Sequence, residues 1–246
     1  MVRIVLAALA LLLPFAGAGP ASADDADVAL VLVTDVSRSI DDTEFKLEKD
    51  GYVSAFTSPR VLQAIRGGSA GRIAVAYVEF ASVFEVSTVL GWTMIGDKAS
   101  AEAFAGRLAG APRSFWGRTA IGAGVDWAVR LLAESGIKAT RLVIDVCGDG
   151  TNNAGREVFE ARDDALKAGI TINGLAIIND HPVSWTFAHV QPPGGLAKYY
   201  RDNVTGGPGS FVLEVHDFAT FGEAMTRKMA DEIAAAPPDG TFAFRH

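Results

Sequence analysis

The feature that most constrains the fold is a continuous apolar run, Val28 to Val33, which is followed closely by Asp35. The run is too short to cross a membrane and too continuous for a strand with one face in water. It therefore predicts a central strand of a parallel sheet, covered on both faces. Ser37 and Ser39 come directly after it on alternate positions. In open α/β sheets, ligands bind at this carboxyl end of the strands.

Apolar runs and helical periodicities alternate along the rest of the chain. The other predicted strands, of which the first two form a tight antiparallel hairpin, cover residues 72–82, 83–90, 141–147, 170–178 and 211–215. Helices are predicted at residues 41–58, which Pro59 closes, at 119–135 and 155–168, and from Asp217 onward. This alternation predicts an α/β fold, with a doubly wound, mostly parallel sheet, one antiparallel edge strand and helices on both faces.

Residues 1–23 have the pattern of a secretory signal peptide, with a basic Arg3, a short apolar stretch and small residues before Asp24. We expect a single domain over residues 24–246, in a bacterial periplasm or secreted, with no membrane insertion after signal removal. The formal net charge of −7 makes nucleic acid a poor partner. Cys147 is the single cysteine, so an internal disulfide is excluded, and we expect this thiol to be buried and inert.

A second predicted strand, residues 141–147, also leads to an acid, because Gly148 and Asp149 follow it. Thr119 lies at the entry of a predicted helix, where its hydroxyl can face the same crevice. A hard divalent cation such as Mg²⁺ or Mn²⁺ prefers oxygen ligands. The candidate metal ligands all offer oxygen, and none offers nitrogen or sulfur: Asp35, Ser37, Ser39, Thr119 and Asp149.

The order of these residues resembles the metal-ion-dependent adhesion site of von Willebrand factor A-like domains. That site combines a DxSxS pattern, here Asp35-Val-Ser37-Arg-Ser39, with a threonine at a helix start and an aspartate at a strand tip. The resemblance covers essentially the whole chain after the signal peptide and is closest to an exported bacterial subgroup. It implies that the hydroxyls of Ser37, Ser39 and Thr119 contact the metal. It implies that Asp35 and Asp149 act largely through waters or hold the hydroxyls in place.

Helix capping is the main alternative, because an aspartate and a serine after a strand often only form a turn and cap the next helix. Five matches in the right order favour the metal site over capping. Gly148 departs from the family pattern, since many relatives have threonine there, and this leaves the hydrogen bonds around the ligands open. Glu79 and Asp145 are acids inside apolar runs, and we expect both to be paired structural carboxylates outside the site.

The function that these residues favour is a non-enzymatic binding module that grips an Asp or Glu of a protein partner through the metal. Three neutral hydroxyls leave the cation's charge poorly neutralised, so a partner's carboxylate can replace a water and complete its shell. No positioned base is evident, so no catalytic residue is predicted. A metal-dependent hydrolase that uses the same carboxylates and a metal-free structural domain stay open as alternatives.

The irregular stretch 179–210 leaves the same end of the sheet and is rich in aromatic residues. These side chains either serve as contact anchors at the binding rim or cover the end of the sheet. The sequence favours neither role for Trp185, Phe187, Tyr199 and Tyr200.

Overall fold

The structure, a computed structural model, describes residues 25–178, 192–216 and 220–235. The predicted signal peptide at residues 1–23, the helix start at Asp217, and the aromatic residues Trp185 and Phe187 lie outside these ranges. Within them, no helix combines the length and the apolar character that a membrane span requires.

One six-stranded sheet organises the described residues. In chain order its strands are β1 (Asp25–Asp35), β2 (Ile73–Phe80), β3 (Val86–Ile95), β4 (Lys138–Gly148), β5 (Ile170–Ile177) and β6 (Val212–Val215). Their order across the sheet is β3-β2-β1-β4-β5-β6. Only β3 runs antiparallel to its neighbour, while the other pairs are parallel. The predicted doubly wound sheet with one antiparallel edge strand is confirmed.

Helices cover both faces of this sheet. They are α1 (Asp42–Thr57), α2 (Pro59–Arg66), α3 (Lys98–Gly110), α4 (Ile121–Ala133), α5 (Val158–Lys167), α6 (Leu196–Tyr199), which continues into a π-helical turn, and α7 (Phe221–Ala234). Side chains of β1 alternate between two apolar clusters. Leu30 and Leu32 pack with α1, α2, α3 and α7, whereas Val31 and Val33 pack with α4, α5 and α6. Burial on both faces explains why this strand is continuously apolar.

Two helices differ from the prediction. Pro59 ends α1 as expected, but it also occupies the first position of α2, where Ser58 caps the helix by accepting a hydrogen bond from the Val61 amide. Proline has no backbone N–H, but the first residue of a helix has no intrahelical acceptor for that group, so no hydrogen bond is lost there. The helix α3 was not predicted. It begins with a capping box, in which the Asp97 side chain accepts from the Ser100 amide and the Ser100 hydroxyl bonds back to the cap.

A buried ion cluster ties α7 to the centre of the sheet. Lys228 contacts both Asp145 of β4 and Glu232 of α7, and all these side chains are nearly inaccessible to solvent. Burial opposes the charge on Lys228, but the two acids outweigh it and raise its pKa. The expectation that Asp145 is a paired structural carboxylate is confirmed. Glu79 instead accepts a hydrogen bond from the Ser114 amide, at 2.8 Å, and burial raises its pKa.

Removing the buried cation is expected to destabilise the fold strongly. Lys228→Met leaves two acids in the interior without their counter-charge, which costs about 3–5 kcal/mol of unfolding free energy. The matched control is Lys46→Met, because Lys46 also forms an i,i+4 ion pair but is 74% exposed. Urea unfolding of both variants checks this, and equal stabilities would contradict the role assigned to the cluster.

Candidate metal centre

The site lies where two neighbouring strands end. β1 and β4 are adjacent and parallel, and their register pairs Thr34 with Cys147. Asp35 and Gly148 therefore end their strands side by side, and Asp149 follows at once. The loops after both strands leave the sheet at the same edge, which the predicted metal site requires.

The predicted ligands meet as a chain of contacting oxygen atoms. The Thr119 hydroxyl donates to Ser37 Oγ, at 3.2 Å, and the Ser37 and Ser39 hydroxyls are 3.1 Å apart. The Ser39 hydroxyl then donates to Asp149 Oδ1, at 3.1 Å. At the other end, Asp35 Oδ1 accepts from the Ser37 amide, at 2.7 Å. All five predicted residues are thus brought together at one edge of the sheet, from three separate parts of the chain.

Helix capping does not account for this cluster. The residue that caps α1 is Asp41, whose side chain accepts from the amides of Thr43 and Glu44. At the start of α4 the cap position is Ala120, whose own side chain makes no capping hydrogen bond, and Asn152 Oδ1 accepts from the Gly122 amide, at 3.1 Å. The hydroxyls of the cluster are therefore not needed to satisfy the helix ends.

The arrangement fits a hard divalent cation. Ligands at about 2.1 Å from an octahedral Mg²⁺ lie about 3.0 Å from their neighbours, close to the oxygen spacings of 3.1–3.2 Å along the chain. Each hydroxyl has one proton to donate and keeps lone pairs to offer to an ion. In the part of the chain that the structure describes, no group of three His, Cys, Asp or Glu side chains suits a metal. The oxygen atoms that meet at this edge are the hydroxyls of Ser37, Ser39 and Thr119 and the carboxylates of Asp35 and Asp149.

Arg113 braces the loop that carries the two serines. Its guanidinium donates to the carbonyl oxygens of Val36 and Ser37, both at 2.8 Å, and to that of Ile40, at 2.9 Å. The side chain is 5% exposed, and burial lowers its pKa. Five fixed donors let an arginine satisfy several carbonyls at once. Arg113 was not predicted from the sequence, because its partners lie far away in the chain and no local signal marks it.

Asparagines after β4 hold the loop that carries Thr119. Asn153 Oδ1 accepts from the Thr119 backbone N–H, at 3.0 Å, and the Asn153 backbone N–H donates to the Thr119 carbonyl, at 2.8 Å. The neighbouring Asn152 amide donates to the Tyr199 hydroxyl, at 3.1 Å. These residues were also missed, although the run Asp149-Gly150-Thr151-Asn152-Asn153 is itself a loop signal.

Gly148 is required by the close approach of Tyr200. A Cβ atom at position 148 would lie 2.8 Å from the Tyr200 hydroxyl oxygen and 2.9 Å from Asp35 Cβ. Tyr200 is fully buried, and its hydroxyl has no hydrogen-bond partner among the described residues. The departure from the family's threonine therefore reflects a tyrosine that fills this space. Tyr199 and Tyr200 cover the end of the sheet, which is the second of the two roles that the sequence left open.

A buried carboxyl group lies behind the site. Glu48 of α1 is inaccessible to solvent, and neither of its oxygens accepts a hydrogen bond from an N–H or O–H group in the described ranges. Burial raises its pKa well above the usual range, the Cys147 thiol beside it acts in the opposite direction, and the acids Asp35, Asp149 and Glu79 raise it further. Cys147 is buried as predicted, and burial raises the pKa of its thiol.

The chain has the α/β fold of von Willebrand factor A-like domains. The chain belongs to the family described as "Protein of unknown function (DUF1194)", whose model matches residues 25–237. No curated protein matches the chain in sequence.

Several solved structures share the fold. Proximal thread matrix protein 1 from the mussel byssus, in a structure described as having a zinc-occupied MIDAS motif, matches with a TM-score of 0.60 and 19% identity. The match covers 85% of this chain and 46% of the mussel protein, so the chain spans about half of that relative. A von Willebrand factor type A protein from Catenulispora acidiphila matches with a TM-score of 0.56 and 17% identity over 85% of this chain and 43% of that one.

A third similar structure is the conserved hypothetical protein BatB from Bacteroides thetaiotaomicron. It matches with a TM-score of 0.54 and 20% identity, over 84% of this chain and 98% of that one. At sequence identities of 17–20%, these solved structures show a shared fold alone.

The buried carboxyl predicts how stability depends on pH. Glu48 stays protonated in the folded protein at pH values where it ionises in the unfolded chain, so its contribution to stability falls as pH rises above about 4.5. Glu48→Gln removes this titration. With a chelator present, the free energy of unfolding of Glu48→Gln minus that of the wild type should therefore rise between pH 5 and pH 8. The rise should be at most about 1.4 kcal/mol per pH unit. Urea unfolding at the two pH values measures this gap, and a constant gap would contradict the burial of a neutral Glu48.

Proposed function

We propose that this chain is an exported, non-enzymatic binding module. In this proposal Ser37, Ser39 and Thr119 hold one Mg²⁺ or Mn²⁺ through their hydroxyls, with Asp35 and Asp149 beside them, and the ion binds an acidic residue of a protein partner. The observation that carries the proposal is the chain of contacting oxygens, which comes from three loops and caps no helix.

The chemistry of the donors supports a grip on a carboxylate. A bound divalent ion supplies positive charge at the edge of the sheet, and neutral hydroxyls offset little of it. Ser37 and Thr119 are nearly inaccessible to solvent, whereas Ser39 is partly exposed. The chain's own side chains therefore lie on the protein side of the proposed ion, and its solvent-facing side stays open to a partner.

Two arginines also favour an acidic partner. Arg38 lies between the two serines and Arg118 directly precedes Thr119, and both side chains are exposed. Among the described residues neither forms an ion pair with a carboxylate. On a chain with a formal net charge of −7, these guanidinium groups make the site locally attractive to acids and raise the rate of encounter with them.

A binding role accounts for the carboxylates better than hydrolysis does. A hydrolase needs a base that is free to take a proton from water. Here Asp35 Oδ1 accepts from the Ser37 amide, and Asp149 Oδ1 accepts from the Ser39 hydroxyl. Both carboxylates thus take part in building the site. Export, and a place in the periplasm or outside the cell, belong to this proposal through the pattern of residues 1–23.

Thr119→Ala tests the proposed site. The variant removes one hydroxyl from a shell with few charged ligands, so Mg²⁺ and Mn²⁺ should bind at least tenfold more weakly, by calorimetry on the full mature chain. Its circular dichroism spectrum should match that of the wild type, because the apolar clusters are untouched.

The matched control is Thr226→Ala, which removes a threonine hydroxyl bonded only within α7, to the Gly222 carbonyl. This variant should bind the metal as the wild type does. Absence of binding to the wild type, or equal affinities of the wild type and Thr119→Ala, would show that these hydroxyls hold no cation.

A further inference from the structure

Two exposed apolar side chains lie at the same edge of the sheet as the oxygen cluster. Phe84 is 97% exposed and Val83 is 40% exposed, in the loop between β2 and β3. Because β2 is parallel to β1, the loop that follows it leaves the sheet at the candidate metal centre. A nearly fully exposed phenylalanine has no stabilising role in the fold, and apolar groups exposed together mark sites of interaction.

Below Phe84, the surface forms an apolar groove of about 370 Å³. The groove lies between the β2–β3 loop and the outer face of α4. Its apolar lining consists of Val83, Phe84, Val86, Ala123 and Trp127. This volume is enough for one large side chain, and the lining is suited to an aliphatic or aromatic group.

The groove is continuous with the loop that carries Thr119. The Ala120 amide donates to the Ala81 carbonyl, at 2.7 Å, and the Arg118 amide donates to the Ser82 hydroxyl, at 2.9 Å. Ala123 of the groove is the third residue of α4 and lies four residues after Thr119 in the chain. Four residues of chain span at most about 14 Å, a distance that an extended peptide covers in about four residues.

Two arginines along this path favour an acidic segment, while Glu85 of the β2–β3 loop accepts a hydrogen bond from the Ser82 amide, at 3.1 Å. Arg118 lies at the end near the oxygen cluster, and Arg130 lines the far end of the groove, where its guanidinium stacks on Trp127. Neither arginine forms an ion pair with a carboxylate in the described part of the chain. The acid that lines the groove, Asp126, is already paired with Arg156, at 3.0 Å.

We propose that the groove beside Phe84 receives a large apolar side chain of the same partner whose carboxylate binds at the oxygen cluster. The partner is therefore a protein segment with an Asp or Glu and, within about four residues of it, an aromatic or large aliphatic residue. This inference rests on the proposed function and adds the second contact of the recognised motif. A buried apolar anchor beside a charged contact is the usual composition of an interaction hot spot.

The probe that tests this is a phage-displayed library of random peptides, selected on the full mature chain with Mg²⁺ and eluted with chelator. The wild type should enrich peptides that combine an acid with an aromatic or large aliphatic residue within about four positions of it. The variant Phe84→Ser should still select the acid but lose the apolar preference. An enriched peptide, made synthetically, should bind Phe84→Ser at least tenfold more weakly than the wild type.

The matched control is Phe159→Ser, since Phe159 is an exposed phenylalanine, at 42%, on α5 outside the groove. It should behave as the wild type does, and Mg²⁺ affinity should be equal in all three proteins. Chelator-sensitive acidic peptides that lack an apolar preference, or that bind Phe84→Ser with full affinity, would overturn the groove while the proposed function stands. Recovery of no chelator-sensitive acidic peptide would contradict both.

Discussion

The parallel pairing of β1 with β4 at the centre of the sheet is the constraint on which the site depends. β1 is apolar and buried on both faces from Val28 to Val33, and β4 is buried from Val143 to its end at Gly148. Their register brings Asp35 beside Gly148, and the acid Asp149 comes one residue later. This pairing concentrates buried oxygen atoms and negative charge at one point, and a divalent cation is the partner that such a point favours.

Once the strand ends are adjacent, the loops around them must be held against solvent. Arg113 binds the carbonyls of the loop after β1, and Asn153 binds both backbone groups of Thr119. These contacts fix the backbone, so the hydroxyls are positioned before any ligand arrives. A preorganised set of donors loses less entropy on binding. Tyr200 packs against Gly148 from the side of the sheet's end and leaves no room for a side chain there.

Much of this arrangement could be predicted from the sequence, because it depends on local patterns. The run from Val28 to Val33 indicates a doubly covered strand, and the polar residues after it indicate the edge where ligands bind. What could not be predicted depends on distant or weak signals. The helix α3 was missed because alanines such as Ala101 and Ala105 make up much of its buried face, which gives little hydrophobic contrast. Arg113 was missed because its carbonyl partners lie 73 to 77 residues earlier in the chain.

The central claim is that the hydroxyls of Ser37, Ser39 and Thr119 bind one divalent cation at the end of β1 and β4. Anomalous diffraction from crystals of the mature chain grown with Mn²⁺ tests this most directly. The account predicts one strong anomalous peak bonded to these hydroxyl oxygens, and its loss in crystals of Thr119→Ala. A Mn²⁺ peak elsewhere on the chain with none at this edge, or a peak there that Thr119→Ala leaves unchanged, would contradict it.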